Sequence, residues 1–202
     1  MLVASFTSLL LPALETTSFS IVLLGFLLGT ILVASLDHIL PHEHMVKGYE
    51  GPVEFRGRIE KIWLMVFALM IHNLPEGLAV GATSILGLEE GLLTATAIGI
   101  QDIPEGFAIS FSLIVSEKKP LRAFIVSTIS GFSETGMAVL AALITSYSTI
   151  LLPVMLALAS GSMIYVVSHE IIPETHRYGY ETLATIGFMI GFITMLWLDT
   201  MF

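Results

Sequence analysis

A chain of 202 residues that is 55% hydrophobic, only 12% charged and has a mean hydropathy of +0.90 carries more apolar surface than one soluble core can hide. Its formal net charge of −9 argues against nucleic acid as a partner, and the absence of cysteine excludes disulfides and thiolate metal sites. Met1 runs straight into apolar sequence without a charged leader, so no cleavable signal peptide is visible.

In chain order, residues 1–14 form an apolar piece too short to span a bilayer alone, and Pro12 is expected to end it. Six stretches follow at 19–40, 62–88, 92–116, 121–147, 152–172 and 182–202, each near the ~20 residues that a spanning helix needs. Barrel strands would be shorter and alternate in polarity, which these do not. The predicted fold is therefore all-α: one transmembrane domain over 1–202, a polytopic helical bundle of six full spans with a partial helix at 1–15. The linker 41–60 is polar, contains Gly48, Gly51 and Pro52, and is expected to be a mobile loop.

Topology follows from the cations. All eight lie in three connections: Lys47, Arg56, Arg58 and Lys61; Lys118, Lys119 and Arg122; and Arg177. With six spans these connections share one side, which the positive-inside rule makes cytoplasmic. Loops 41–60, 117–121 and 173–181 are accordingly expected in the cytoplasm, while Glu15, Glu89, Glu90 and Asp199 fall on the opposite side. The expected location is the inner (plasma) membrane of a bacterium or archaeon.

Four acids sit within the spans: Glu76, Asp102, Glu105 and Glu134. Inserting four carboxylates at helix centres costs roughly 10 kcal/mol, and no lysine or arginine within the spans offsets it. A divalent cation is the natural counter-charge. The neighbouring sequence repeats: His72-Asn73-Leu74-Pro75-Glu76-Gly77 and Gln101-Asp102-Ile103-Pro104-Glu105-Gly106. His72 and Glu76 are four apart and share a helix face, as do Gln101 and Glu105, with Asn73 and Asp102 one step around. Two antiparallel neighbours joined by a short turn at 88–91 can bring the motifs to one depth.

Pro75 and Pro104 leave the carbonyls of Ile71 and Ile100 without their helical donors, so each motif is expected to offer a local break. Gly77 and Gly106 are expected to allow close helix approach. The donors are imidazole, carboxamide and carboxylate, a set that suits zinc, iron, manganese or cobalt and disfavours copper(I). Glu76 and Glu105 can each bridge, giving two ions roughly 3.5–4 Å apart. Glu134, in Ser-Glu-Thr-Gly, reads equally as a satisfied polar contact or as a ligand.

The paired His-Asn-x-Pro-Glu-Gly and Gln-Asp-x-Pro-Glu-Gly motifs resemble the signature of the Zrt/Irt-like (ZIP) divalent metal transporters, in its prokaryotic branch. Asp37 with Pro41-His42-Glu43-His44 is similar to the end of that family's third helix, and Ser168-His169-Glu170 to the cytoplasmic end of its seventh. The resemblance implies transport of divalent cations, zinc foremost and then cadmium, iron or manganese, as substrate, with no prosthetic group and no enzymatic activity. It implies one metal site of His72, Glu76, Gln101 and Glu105. A second would consist of Asn73, Asp102 and Glu134, sharing Glu76 and Glu105. Asp37, His42, His44, His169 and Glu170 would form a cytoplasmic exit path; unaided, His42 and His44 read as a solvated loop feature.

The resemblance also implies a homodimer, for which Gly25/Gly29 and Gly187/Gly191 offer small-residue packing faces. The family has eight helices, and residues 1–15 are similar to the second half of its second. Metal binding is thus the safer expectation and transport the further one. The competing readings are a metal-binding fragment or sensor that does not transport and an intramembrane metalloenzyme. The latter lacks an H-E-x-x-H motif or a clear nucleophile and base.

Overall fold

The computed structural model describes residues 1–44, 48–57, 61–176 and 179–201. Helix α1 covers Leu2–Thr16, α2 Phe19–Ile39, α3 Lys61–Leu86, α4 Leu88–Glu117, α5 Pro120–Tyr147, α6 Leu152–Ile171 and α7 Glu181–Met201. Between α2 and α3 a short antiparallel ribbon pairs β1 (His42–His44) with β2 (Gly48–Glu50) in the register His42 to Glu50. Part of the 41–60 connection is thus ordered, with β1 packed on α3.

Pro12 does not end α1. It lies in the α-helical part Leu11–Thr16, directly after a wider π turn over Ser5–Leu10, and the helix continues through it at the cost of one missing rung. Nor do Pro75 and Pro104 break their helices: α3 and α4 run continuously through them. A proline removes one rung of the ladder, and the turns on either side hold the helix together across the gap.

Polarity is distributed inside out. Phe107, Phe124 and Phe132 are exposed, whereas Asp37, Asn73, Glu76 and Glu170 are buried. In water that arrangement would be unstable; against hydrocarbon the apolar side chains meet a matching solvent. Among the described residues, four helices are long and apolar enough to cross a membrane: Phe19–Ile39, Pro120–Tyr147, Leu152–Ile171 and Glu181–Thr200. The motif helices α3 and α4, at 26 and 30 residues, have the length but carry the acids. The chain is an integral membrane protein.

Two close-packed helix pairs organise the interior. In the first, α2 meets α6 at Gly29, where an added methyl would strike the carbonyl of Leu158, and at Gly161, where it would strike that of Phe26. In the second, α3 meets α5 at Gly77 and Gly81, against the carbonyls of Glu134 and Ala138. Helix α4 packs on α3 and α5, α1 packs on α6, and α3 joins the two groups through α6 around Leu78, Ala79, Leu156 and Met163. Gly106, expected to sit at a close approach, has open space beside it, as do Gly187 and Gly191.

Candidate metal centre

The single-residue connection at Gly87 makes α3 and α4 antiparallel neighbours and fixes how far each motif lies from the turn. Glu76 and Gln101 thereby come face to face, and Gln101 Nε2 donates to Glu76 Oε1. Around this contact, oxygens of Glu76, Asp102 and Glu105 all lie within 4.8 Å of one another. Glu76 is fully buried and its Oε2 has no hydrogen-bond partner; Oε2 of Glu105 is likewise buried and unpartnered. Such orphaned acceptors cost ~1–3 kcal/mol each, more when charged, and a proton, a water or a cation satisfies them.

Helix α5 contributes next. The close approach at Gly77 brings its backbone against α3, and Asn73 Nδ2 donates to the carbonyl of Ser130 at 3.2 Å. That bond turns the amide so that Oδ1 is the free atom, buried and without a donor. The carboxyls of Asp102 and Glu134 come within hydrogen-bonding reach of each other. The structure therefore brings Asn73, Glu76, Gln101, Asp102, Glu105 and Glu134 to one region between α3, α4 and α5. The Met1 nitrogen donates to Gln101 Oε1 at 3.1 Å. A cavity of about 460 Å³ between α1, α4 and α7 reaches Gln101 and Glu105.

His72 points elsewhere. Its Nδ1 lies 3.2 Å from Oε2 of Glu170, which the π turn Val167–Ile171 of α6 holds in a buried position. A π turn inserts one residue per turn and so redirects side chains, a device frequent at functional sites. His169 leaves the same turn and stacks on Tyr165, ring centroids 5.0 Å apart. Beyond it His42 is buried with Nε2 3.9 Å from Asp37 and 3.7 Å from Glu50. His44 pairs with Gly48 through its backbone, and its side chain lies outside the described residues.

Sequence reasoning missed Glu50, Tyr165 and the Ser130 carbonyl. For Glu50 a signal existed, because a two-stranded ribbon across the 41–60 linker would place it opposite His42. Nothing in the spacing pointed to Tyr165 or to a backbone carbonyl.

Residues 49–199 match the profile of the family described as ZIP Zinc transporter. The chain is 42% identical over 217 residues to the zinc transporter ZIPB of Bordetella bronchiseptica, an alignment covering 99% of this chain and 67% of that protein. It is 40% identical over 176 residues to the zinc transporter GufA of Myxococcus xanthus, covering 87% of this chain and 68% of the relative. Over 168 residues it is 37% identical to the zinc transporter ZIP11 of Homo sapiens, covering 76% and 49% respectively.

Proposed function

Because the chain belongs to the ZIP zinc transporter family, we propose that it carries zinc across a membrane through the carboxylate cluster between α3 and α4. Membership places it among transporters rather than enzymes. The observation that carries the reading is the trio Glu76, Asp102 and Glu105, gathered within 4.8 Å in an apolar bundle. A divalent cation among them offsets their mutual repulsion.

In the fuller proposal two ions bind side by side. Glu76 and Glu105 bridge them; His72 and Gln101 complete one site, and Asn73, Asp102 and Glu134 the other. The free Oδ1 of Asn73 and the orphaned carboxylate oxygens support this assignment. His72 joins its site by leaving Glu170, and that exchange links occupancy of the cluster to the polar chain of His169, Glu170, Asp37, His42 and His44, along which the ion leaves. Amide ligands hold zinc less tightly than carboxylates, which suits an ion that must also depart.

The remaining features follow the same reading: six spans, with α3 and α4 crossing beside the four most apolar helices, and the basic connections on the cytoplasmic side of a prokaryotic plasma membrane. The chain works as a homodimer. Zinc and cadmium uptake into liposomes containing the chain, with Glu76→Ala alongside, tests the proposal. Uptake that disappears in the variant supports it. No uptake by the parent, with zinc bound by the parent and not by the variant, would leave a metal-binding protein and overturn transport.

A further inference from the structure

The corner between α4 and α5 carries a group of residues that the metal path does not use. Helix α4 ends at Glu117, Lys118 turns the chain in the left-handed conformation (φ 55°), and α5 starts at Pro120 behind Lys119. Arg122, in the first turn of α5, donates through Nη1 to Glu117 Oε2 at 2.6 Å, and its guanidinium lies 5.3 Å from the centroid of the Trp63 ring. Arg122 is thereby neutralised and held over an aromatic face. Lys118 and Lys119 are both exposed, and among the described residues neither has a carboxylate partner. Three cations against one acid leave this corner with a surplus of two positive charges in a chain whose net charge is −9.

Its surroundings define what those charges face. The helix ends that flank the lysines in the chain are apolar and open: Leu121 is 71% exposed, Phe124 66% and Val115 61%. Such side chains belong in hydrocarbon, and an exposed lysine pair beside them suits the level of the lipid phosphates, as Trp63 suits the aromatic belt. Lysine stems can lie along the apolar skirt while their heads reach upward. A soluble anion could meet the lysines, but it would make no use of the apolar rim.

We propose that Lys118 and Lys119, braced by the Glu117–Arg122–Trp63 stack, form a docking site for the phosphate headgroup of an anionic membrane lipid, whose acyl chains lie along Leu121 and Phe124. The site attaches the α4–α5 corner to the leaflet on the side of the basic connections. It is distinct from the carboxylate cluster, and no metal ligand takes part in it.

Trp63 serves as the reporter, since Trp197 is the only other tryptophan and Trp197→Phe isolates it. The full chain is reconstituted in phosphatidylcholine vesicles containing a minor share of phosphatidylglycerol, and in either lipid the acyl chains are brominated near the glycerol. Quenching of Trp63 by brominated phosphatidylglycerol is expected to exceed that by brominated phosphatidylcholine, with an apparent preference of roughly five- to tenfold. Lys118→Gln with Lys119→Gln is expected to remove the preference, and Lys118→Arg with Lys119→Arg to keep it. Unchanged zinc binding by the glutamine variant shows that it has folded; if it does not fold, the arginine pair and the parent still decide the matter. Equal quenching by the two lipids in the parent overturns the proposal, as does a preference that survives in a folded glutamine variant. Loss of the preference on adding millimolar inorganic phosphate, at constant ionic strength, would mean a site for a soluble anion and would overturn it too.

Discussion

His72 Nδ1 lies 3.2 Å from Glu170 Oε2, so a histidine of the first Pro-Glu-Gly motif faces the π turn of α6 rather than the glutamate four residues along its own helix. In the proposed reading the imidazole links two polar groups, the carboxylate cluster and, through Glu170, the Asp37–His42–Glu50 group. Removing its partner should therefore separate binding from movement. Glu170→Ala is expected to leave zinc affinity in detergent within about threefold of the parent and to lower uptake about tenfold or more. Isothermal titration and vesicle uptake measured on the same preparation check both halves.

Glu76 is the residue on which the cluster centres, being fully buried, bonded to Gln101 and close to both other carboxylates. Glu76→Ala and Glu105→Ala are each expected to abolish zinc uptake. Asp102→Asn, which removes one charge but keeps an oxygen, should weaken binding by about tenfold. Uptake at the parent rate by either alanine variant would remove the assignment of the site.

The pair His42→Ala and His44→Ala is expected to slow release of the ion and to leave binding at the cluster intact, because both residues lie outside α3 and α4. The structure adds a cost at His42, which is buried beside Asp37 and Glu50; its loss takes an imidazole from two acids and empties a buried site, and should lower stability by ~1–3 kcal/mol. A zinc titration in detergent against a single-turnover efflux assay separates the two effects. Loss of high-affinity binding in the folded variant would contradict the placement of these histidines on the exit side.

Helix packing gives a test independent of metal. Gly29→Ala places a methyl against the backbone carbonyl of Leu158, which cannot yield without moving α6, and is expected to cost ~1–3 kcal/mol. Gly187→Ala meets open space and should stay within about 0.5 kcal/mol of the parent. Thermal unfolding in detergent should show the first with a lowered midpoint and the second without.

Much of the site was legible because the helix itself sets the spacing. Glu76 and Gln101 each stand at a set distance from the connection between two antiparallel helices, which the sequence placed at 88–91 and the structure places at Gly87, a shift too small to part the motifs. The partners from α5 and α6 were less so. Ser130 enters through a carbonyl, which every residue possesses and no motif marks. Glu50 depends on the register of a ribbon three residues long, too short to declare itself by alternation. The glycine pattern was ambiguous for a related reason: Gly25 and Gly29 pack on α6, while Gly187 and Gly191, at the same spacing, face open space.

From the sequence alone came the membrane setting, the helical class, the two motifs and the demand for a positive ion among four acids, because hydropathy, periodicity and charge are properties of the chain taken locally. Only the tertiary structure decided that Asp102 meets Glu134, that Asn73 presents its oxygen, and that His72 turns to Glu170. Each of those outcomes depends on the depth and rotation at which separate helices dock. Carbonyls beneath Gly29, Gly77 and Gly161 and a π turn in α6 set those values, and they are sums over many contacts that no single stretch of sequence contains.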